Sequence, residues 1–309
     1  MPRSLLIPVL ALALAAPSMG CSIRKMALRA TADGLTGGTG GSFARDDDPE
    51  LVGAAIPFAL KTMESLADSL DDHVGLRLAL ASGFTQYAYA WVQWDAEQLE
   101  TKDPKRAQAI RARAARLFKR GRDYGLEGLL ISKGITLEDL RGDTARRKAA
   151  LAKLEIDDVP MLYWTLVPWA AAISADKRNL ELVGDLPLIA EMLDRALVLD
   201  EAWDHGTLHE FSLAFDGARS IKPSREQEDK HYARALELTK GQRLSVKVSY
   251  AEQVLAPAQD KKAYLALLDE VLAFDVNAKD VRDQRLANTF AQRRAKYLKE
   301  HLDDLFLDE

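Results

Sequence analysis

The sequence predicts an all-α chain built of stacked helical hairpins, on three observations. Apolar side chains recur at spacings of three and four over almost everything after residue 48, which is the period of an amphipathic helix. Alternation of strand type is nearly missing, and Arg243 to Tyr250 is the only short candidate strand. A helix ending recurs at offsets of 39 and 36 residues: Arg195-Ala-Leu-Val-Leu-Asp200, Arg234-Ala-Leu-Glu-Leu-Thr239 and, more loosely, Glu270-Val-Leu-Ala-Phe-Asp275. Each copy is followed by a turn and a second helix, the pattern of a repeat solenoid.

Residues 1–20 read as an export signal. Arg3 gives a positive start, Leu5 to Ala16 form an apolar stretch of secretory length, and Ser18-Met19-Gly20 are the small residues of a cleavage site. The sole cysteine, Cys21, stands directly after them, so no intramolecular disulfide is possible. That position resembles a bacterial lipobox, in which the thiol is acylated and becomes the new N-terminus. Ser18 stands where lipoboxes usually carry leucine, and Ser18-x-Gly20 also satisfies signal peptidase I. The lipid reading is preferred because a lone cysteine at this position has no other evident use. No later stretch holds 18 uninterrupted apolar residues, so the expected attachment is an acyl anchor rather than a spanning helix.

Residues 21–45 then read as the lipid attachment site, a short helix over 22–32 and a flexible Gly-rich spacer, Gly34 to Ser42. The glycines neither follow a strand nor lead into a phosphate-binding pattern. Residues 46–309 form the helical domain. Asp48 is placed as an N-cap with Pro49 at the first helical position. Helices are expected over 49–70, 73–99, 105–131, 144–155, 158–176, 185–201, 206–219, 225–240, 246–256, 260–274 and 278–304. Paired in this order and repeated in the mid-thirties, they resemble degenerate tetratricopeptide (TPR-like) hairpins, an α-α superhelix with a shared core and a concave face.

Composition narrows the function. The chain is 48% apolar and 29% charged with a formal charge of −5, which describes a globular protein without the basic face that a nucleic-acid partner requires. His205 and His209 share a helical face at i, i+4, but Gly206 breaks the H-E-x-x-H pattern of a metallohydrolase. No G-x-S-x-G elbow occurs, and the acid pairs Asp157-Asp158 and Asp303-Asp304 sit at helix ends. The run Arg111, Arg113, Arg116, Lys119, Arg120 and Arg122 reads as a salt-bridged surface. The sequence thus gives no catalytic residue, no metal site and no cofactor. Aromatic residues are the stronger signal. Tyr87, Tyr89, Trp91 and Trp94 crowd one helix, and Tyr163, Trp164 and Trp169 another, with Gln86 and Gln93 interleaved. Core packing explains rings at this spacing; a helical cavity for a small, partly apolar ligand is the functional alternative.

Several blocks taken together resemble one family. They are Asp46-Asp-Asp-Pro-Glu-Leu-Val52, Pro57-Phe-Ala-Leu-Lys61, Ala81-Ser-Gly-Phe-Thr-Gln-Tyr87 and Leu162-Tyr-Trp-Thr165, followed by Asp204-His-Gly-Thr-Leu-His209, Tyr250-Ala-Glu252, Arg285-Leu-Ala-Asn288 and Gln292-Arg-Arg-Ala295. In this order they resemble the TatT-like T components of tripartite ATP-independent periplasmic (TRAP) transporters, from about Cys21 to Phe306. The resemblance implies a TPR-like periplasmic lipoprotein that assembles as a homotrimer. It also implies a ligand-accessible cleft or pore and pairing with the solute-binding P component, in support of uptake of organic acids or other, including hydrophobic, ligands. A general envelope scaffold is the alternative, and a metal hydrolase using His205 and His209 a third reading. The candidate residues are Cys21 for lipid, and Tyr87, Trp91, Trp94, Tyr163, Trp164 and Trp169 for a cavity. His205, His209, Arg285, Asn288 and Gln292 are polar candidates because they fall in the family-like blocks; internal hydrogen bonding between helices explains them equally well. Ser22, in place of the aspartate that retains lipoproteins at the inner membrane, favours the outer one.

Overall fold

The structure is a computed structural model that describes residues 16–36, 41–216 and 224–307, with side chains placed from Met26 onward. The expectations for residues 1–15, and for acylation at the Cys21 side chain, lie outside the described residues. The described residues are 80% helical and contain no strand. In order the helices are α1 (Ala16–Thr36), α2 (Pro49–Ala67), α3 (Val74–Tyr87), α4 (Trp94–Leu99), α5 (Pro104–Lys133), α6 (Leu137–Arg141) and α7 (Thr144–Ala152). They continue with α8 (Val159–Ala175), α9 (Leu180–Val183), α10 (Leu186–Asp200), α11 (Trp203–Asp216), α12 (Arg225–Thr239), α13 (Ser245–Tyr250), α14 (Lys261–Ala273) and α15 (Arg285–Glu300).

Two departures from the sequence reading are local. The candidate strand at Arg243 to Tyr250 is helical, because Val246 and Val248 are buried against neighbouring helices rather than alternating across a sheet. The expected flexible spacer begins later than Gly34, since α1 runs on to Thr36, and residues 37–40 lie outside the described ones.

Caps set the helix starts. Asp48 Oδ1 accepts from the Leu51 amide at 2.9 Å with Pro49 at the first position, and Asp103 does the same for Arg106 at 3.0 Å ahead of Pro104. Thr136 with Asp139, and Ser224 with Gln227, form capping boxes. Gly134, at φ 61°, ends α5 in the left-handed conformation that glycine adopts without penalty.

The largest core surrounds α8, which is apolar on nearly every side and correspondingly buried. α5 packs along α8 at close range because it presents glycine there. A Cβ at Gly125 would stand 2.4 Å from Thr165 Oγ1, and one at Gly128 2.4 Å from Met161 Sδ. A second core lies between α13, α14 and α15, around Leu244, Ala251, Tyr264, Leu268 and Ala295. α5 packs on both α3 and α8, the helices from α10 to α15 pack each on the next, and α15 packs on α2. The row of helices therefore closes on itself.

The closure is chemically specific. Arg293 holds Glu50 with two hydrogen bonds of 2.7 and 2.9 Å, and Arg285 reaches Asp47 at 2.7 Å. The Leu286 amide donates to the Ala44 carbonyl at 3.0 Å. Trp91 meets Phe290 edge-on at 4.9 Å and Trp94 meets Tyr297 at 5.3 Å. Residues some 200 positions apart thus join in one seam.

Candidate functional site

Two irregular segments interrupt the helices of this closed row. Between α3 and α4 the backbone widens into a π-helix, Ala88–Gln93, and after α13 into another, Ala251–Leu255. Such bulges rotate side chains off the regular helical stripe and are frequent at functional sites. The first carries Tyr89, the second Glu252.

Tyr89 is 64% exposed, yet burial raises the pKa of its hydroxyl far above the ordinary phenol value, and the charges of Glu252, Arg294, Glu97 and Glu210 act on it. An exposed side chain with charged groups of several elements around it marks a hollow. Tyr163, from α8, is pushed in the same direction by burial and feels Glu210, Arg243, Asp204 and the Tyr89 hydroxyl. Elements all around the circuit, from the first π segment through α8, α11 and α15, therefore present polar groups to one place.

The charges in that place are mostly matched. Arg294 binds Glu252 at 2.5 Å and also pairs with Glu97. Arg243 pairs with Asp204 at 3.0 Å and bonds the Thr207 hydroxyl. Asp204 itself sits in a strained turn: Asp204, His205 and Gly206 have φ of 43°, 58° and 81°, a run that non-glycine residues adopt only when the surroundings enforce it. Gly206 is needed there, since a Cβ would stand 2.9 Å from Leu238. Glu210, one turn further along α11, is the exception. Burial raises its pKa, partly opposed by Arg243 and a hydrogen bond from Ser245, and no described cation makes an ion pair with it. Next to the hollow, a cleft of about 160 Å³ at the seam is lined by Glu97, Glu100, Arg111, Arg294 and Tyr297.

The residues singled out from the sequence are distributed unevenly over this geometry. Tyr163 is buried in the core, with its ring packed on Trp164 at 5.0 Å and Trp203 at 4.9 Å, while the charges of Glu210 and Arg243 act on its hydroxyl. Trp91 donates from Nε1 to the Pro49 carbonyl at 2.9 Å, and Tyr87 stacks on it at 5.9 Å; both belong to the seam and its adjoining core, as does Trp94. Trp169 is completely buried, its Nε1 donating to Asp185 at 3.0 Å, and so turns no surface to a cavity.

The polar candidates divide the same way. His205 is exposed on the strained turn, while His209 is buried between His231, at 2.9 Å, and Glu201, at 3.1 Å. Burial lowers the His209 pKa, against the pull of Glu201. The two histidines of the expected pair do not converge, and no group of three or more potential metal ligands exists among the described residues. Asn288, fully buried, accepts from the Leu244 amide at 3.0 Å and donates to the Gln242 carbonyl at 2.9 Å. Gln292 donates to the Val271 and Phe274 carbonyls at 3.0 and 2.8 Å, closing the end of α14. Arg285 belongs to the seam. These three polar residues hold α15 in place.

Sequence reasoning noted Tyr89 in the aromatic cluster without choosing it as a candidate, and it did not single out Glu210, Arg243, Glu252 or Arg294. For Glu252 and Arg294 a signal existed, since they lie inside the blocks Tyr250–Glu252 and Gln292–Ala295.

No helix among the described residues is long and apolar enough to cross a membrane. A protein of Treponema pallidum (strain Nichols), described as an uncharacterized protein, is 28% identical over 269 residues, covering 86% of this chain and 83% of that one. The family model for the TRAP transporter T-component matches residues 45–306, which takes in the capped start of α2, both π segments, the hollow and the seam. The chain belongs to the TRAP transporter T-component family, whose part in transport is that of an accessory component.

Proposed function

We propose that this protein is a non-catalytic lipoprotein component of a TRAP transport system that docks the solute-binding P component and receives a small ligand inside its ring. The reading rests on the family and on the closed row of helices, with Tyr89 open to water among charged groups of several elements. A hollow lined by paired charges and tyrosines, with no nucleophile–base pair in it, suits holding a ligand rather than transforming it. The hairpins are read as degenerate TPR-like units, the attachment as acylation of Cys21 facing the periplasm, with the outer membrane favoured, and the assembly as a homotrimer. Co-purification from cell envelopes tests the docking: the P component of a TRAP system is expected to come down with the tagged protein. Its absence, with unrelated envelope proteins in its place, favours the general scaffold. Radiolabelled palmitate incorporated by the wild type and not by Cys21→Ser tests the anchor, and light scattering the trimer.

A further inference from the structure

We propose that the outer side of α5 is the surface on which an acidic face of a partner protein docks. The inference rests on the docking reading and adds its place and its charge. Residues 102–120 carry eight cations against the single carboxylate of Asp103, in a chain whose formal charge is −5. The sequence reads such a run as salt-bridged, and the structure divides it. Arg111 pairs with Glu100, and Arg120 with Glu64. Lys102, Lys105, Arg106, Arg116 and Lys119 are exposed and make no ion pair among the described residues. Arg113, also exposed, reaches the Tyr87 hydroxyl at 3.4 Å and the face of that ring, but no carboxylate.

Helical period gathers these charges. Lys105, Ala109, Ala112, Arg116 and Lys119 follow at spacings of four and three, with Arg106 and Arg113 seven apart beside them, so the cations line one side of α5 over about 20 Å. The opposite side, with Ala107, Ala114 and Phe118, is buried. Like charges at these spacings repel, and an acidic partner removes that repulsion. A lipid surface fits less well. Helices that lie on bilayers turn an apolar face to the lipid, whereas the apolar face of α5 is taken up by the core and only alanines separate the outward cations. The same side changes sign at Asp123 and Glu127, both exposed, which a continuous anionic sheet would meet and a bounded acidic patch would not. Arginine forks match carboxylates two oxygens at a time.

Isothermal titration of the purified protein with the P component, at about 50 and about 300 mM salt, tests the assignment. The wild type is expected to bind, more weakly at the higher salt. The triple variant Lys105→Glu, Arg113→Glu, Arg116→Glu should bind at least tenfold more weakly with its melting transition intact. A control of equal charge change at exposed sites elsewhere, Lys177→Glu, Arg178→Glu, Lys262→Glu, should stay within about twofold of wild type. Unchanged affinity in the α5 variant, or an equal loss in the control, overturns this surface and leaves the docking reading standing. Absence of wild-type binding overturns both. Binding to phosphatidylglycerol vesicles that needs the α5 cations, with the P component indifferent to them, assigns the stripe to lipid and overturns the proposal.

Discussion

The core around α5 and α8 and the lining of the ring are made of opposite materials. Between α5 and α8, glycine meets threonine and methionine at a distance that admits no added methyl group, and Trp169 is sealed without any exposed surface. At the ring's interior Tyr89 is open to water, and the neighbouring groups are acids and guanidinium groups joined in pairs. The first region is held by shape and apolar area, the second by charge matching across elements far apart in sequence. Stability should therefore depend on the first and recognition on the second.

Substitutions can break that division, and the largest effect belongs to the core. Trp169→Ala is expected to lower unfolding free energy by about 4 kcal/mol, since it removes a large fully buried side chain and leaves a cavity, as denaturant titration will read. Next comes the seam. Arg294→Met strands Glu97 and Glu252 together, with an expected loss of about 2–3 kcal/mol and faster amide hydrogen exchange in α15 and the first π segment. If exchange accelerates no more there than in α8, the seam does not close the ring.

Glu210→Gln carries a smaller effect of opposite sign. Burial raises the folded-state pKa of Glu210 above the ordinary carboxylate value, so the folded chain holds this proton more tightly than the unfolded one. The contribution from Glu210 is complete below the unfolded pKa near 4.5 and is lost as pH rises through the folded pKa. Glutamine, which cannot ionise, should raise the melting temperature by a few degrees near pH 8 and leave it unchanged near pH 4. An equal shift at both pH values would mean that Glu210 does not titrate in an enclosed space. The smallest effect is expected for Tyr89→Phe, within about 0.5 kcal/mol of wild type, because its ring is supported on few sides.

How much of this was legible in the sequence follows the same line. Helices such as α2, α5 and α8 announce themselves by apolar period, by Asp-Pro starts and by a glycine end, because those signals are local. The lining was not legible for a physical reason. Tyr89 and Trp91 lie two residues apart, yet one enters the hollow and the other donates to Pro49 at the seam, because the π segment turns them onto different faces. Asn288 and Gln292 stand out in the sequence only because they fall in the family-like blocks; their partners are backbone groups just before α13 and at the end of α14, which only the packed structure brings near. Charges such as Arg243 and Glu210 carry meaning through each other, across the whole of α12, and no spacing rule links them.

The reagent size that Tyr89 admits tests the central claim most directly. In a Cys21→Ser background, Tyr89→Cys is compared with Phe58→Cys, whose site on the outer face of α2 is 79% exposed. The account predicts that iodoacetamide labels both positions while a long polyethylene-glycol maleimide labels only the one at Phe58. Equal labelling of both by the large reagent would place Tyr89 on the outer surface and contradict the ring with its hollow.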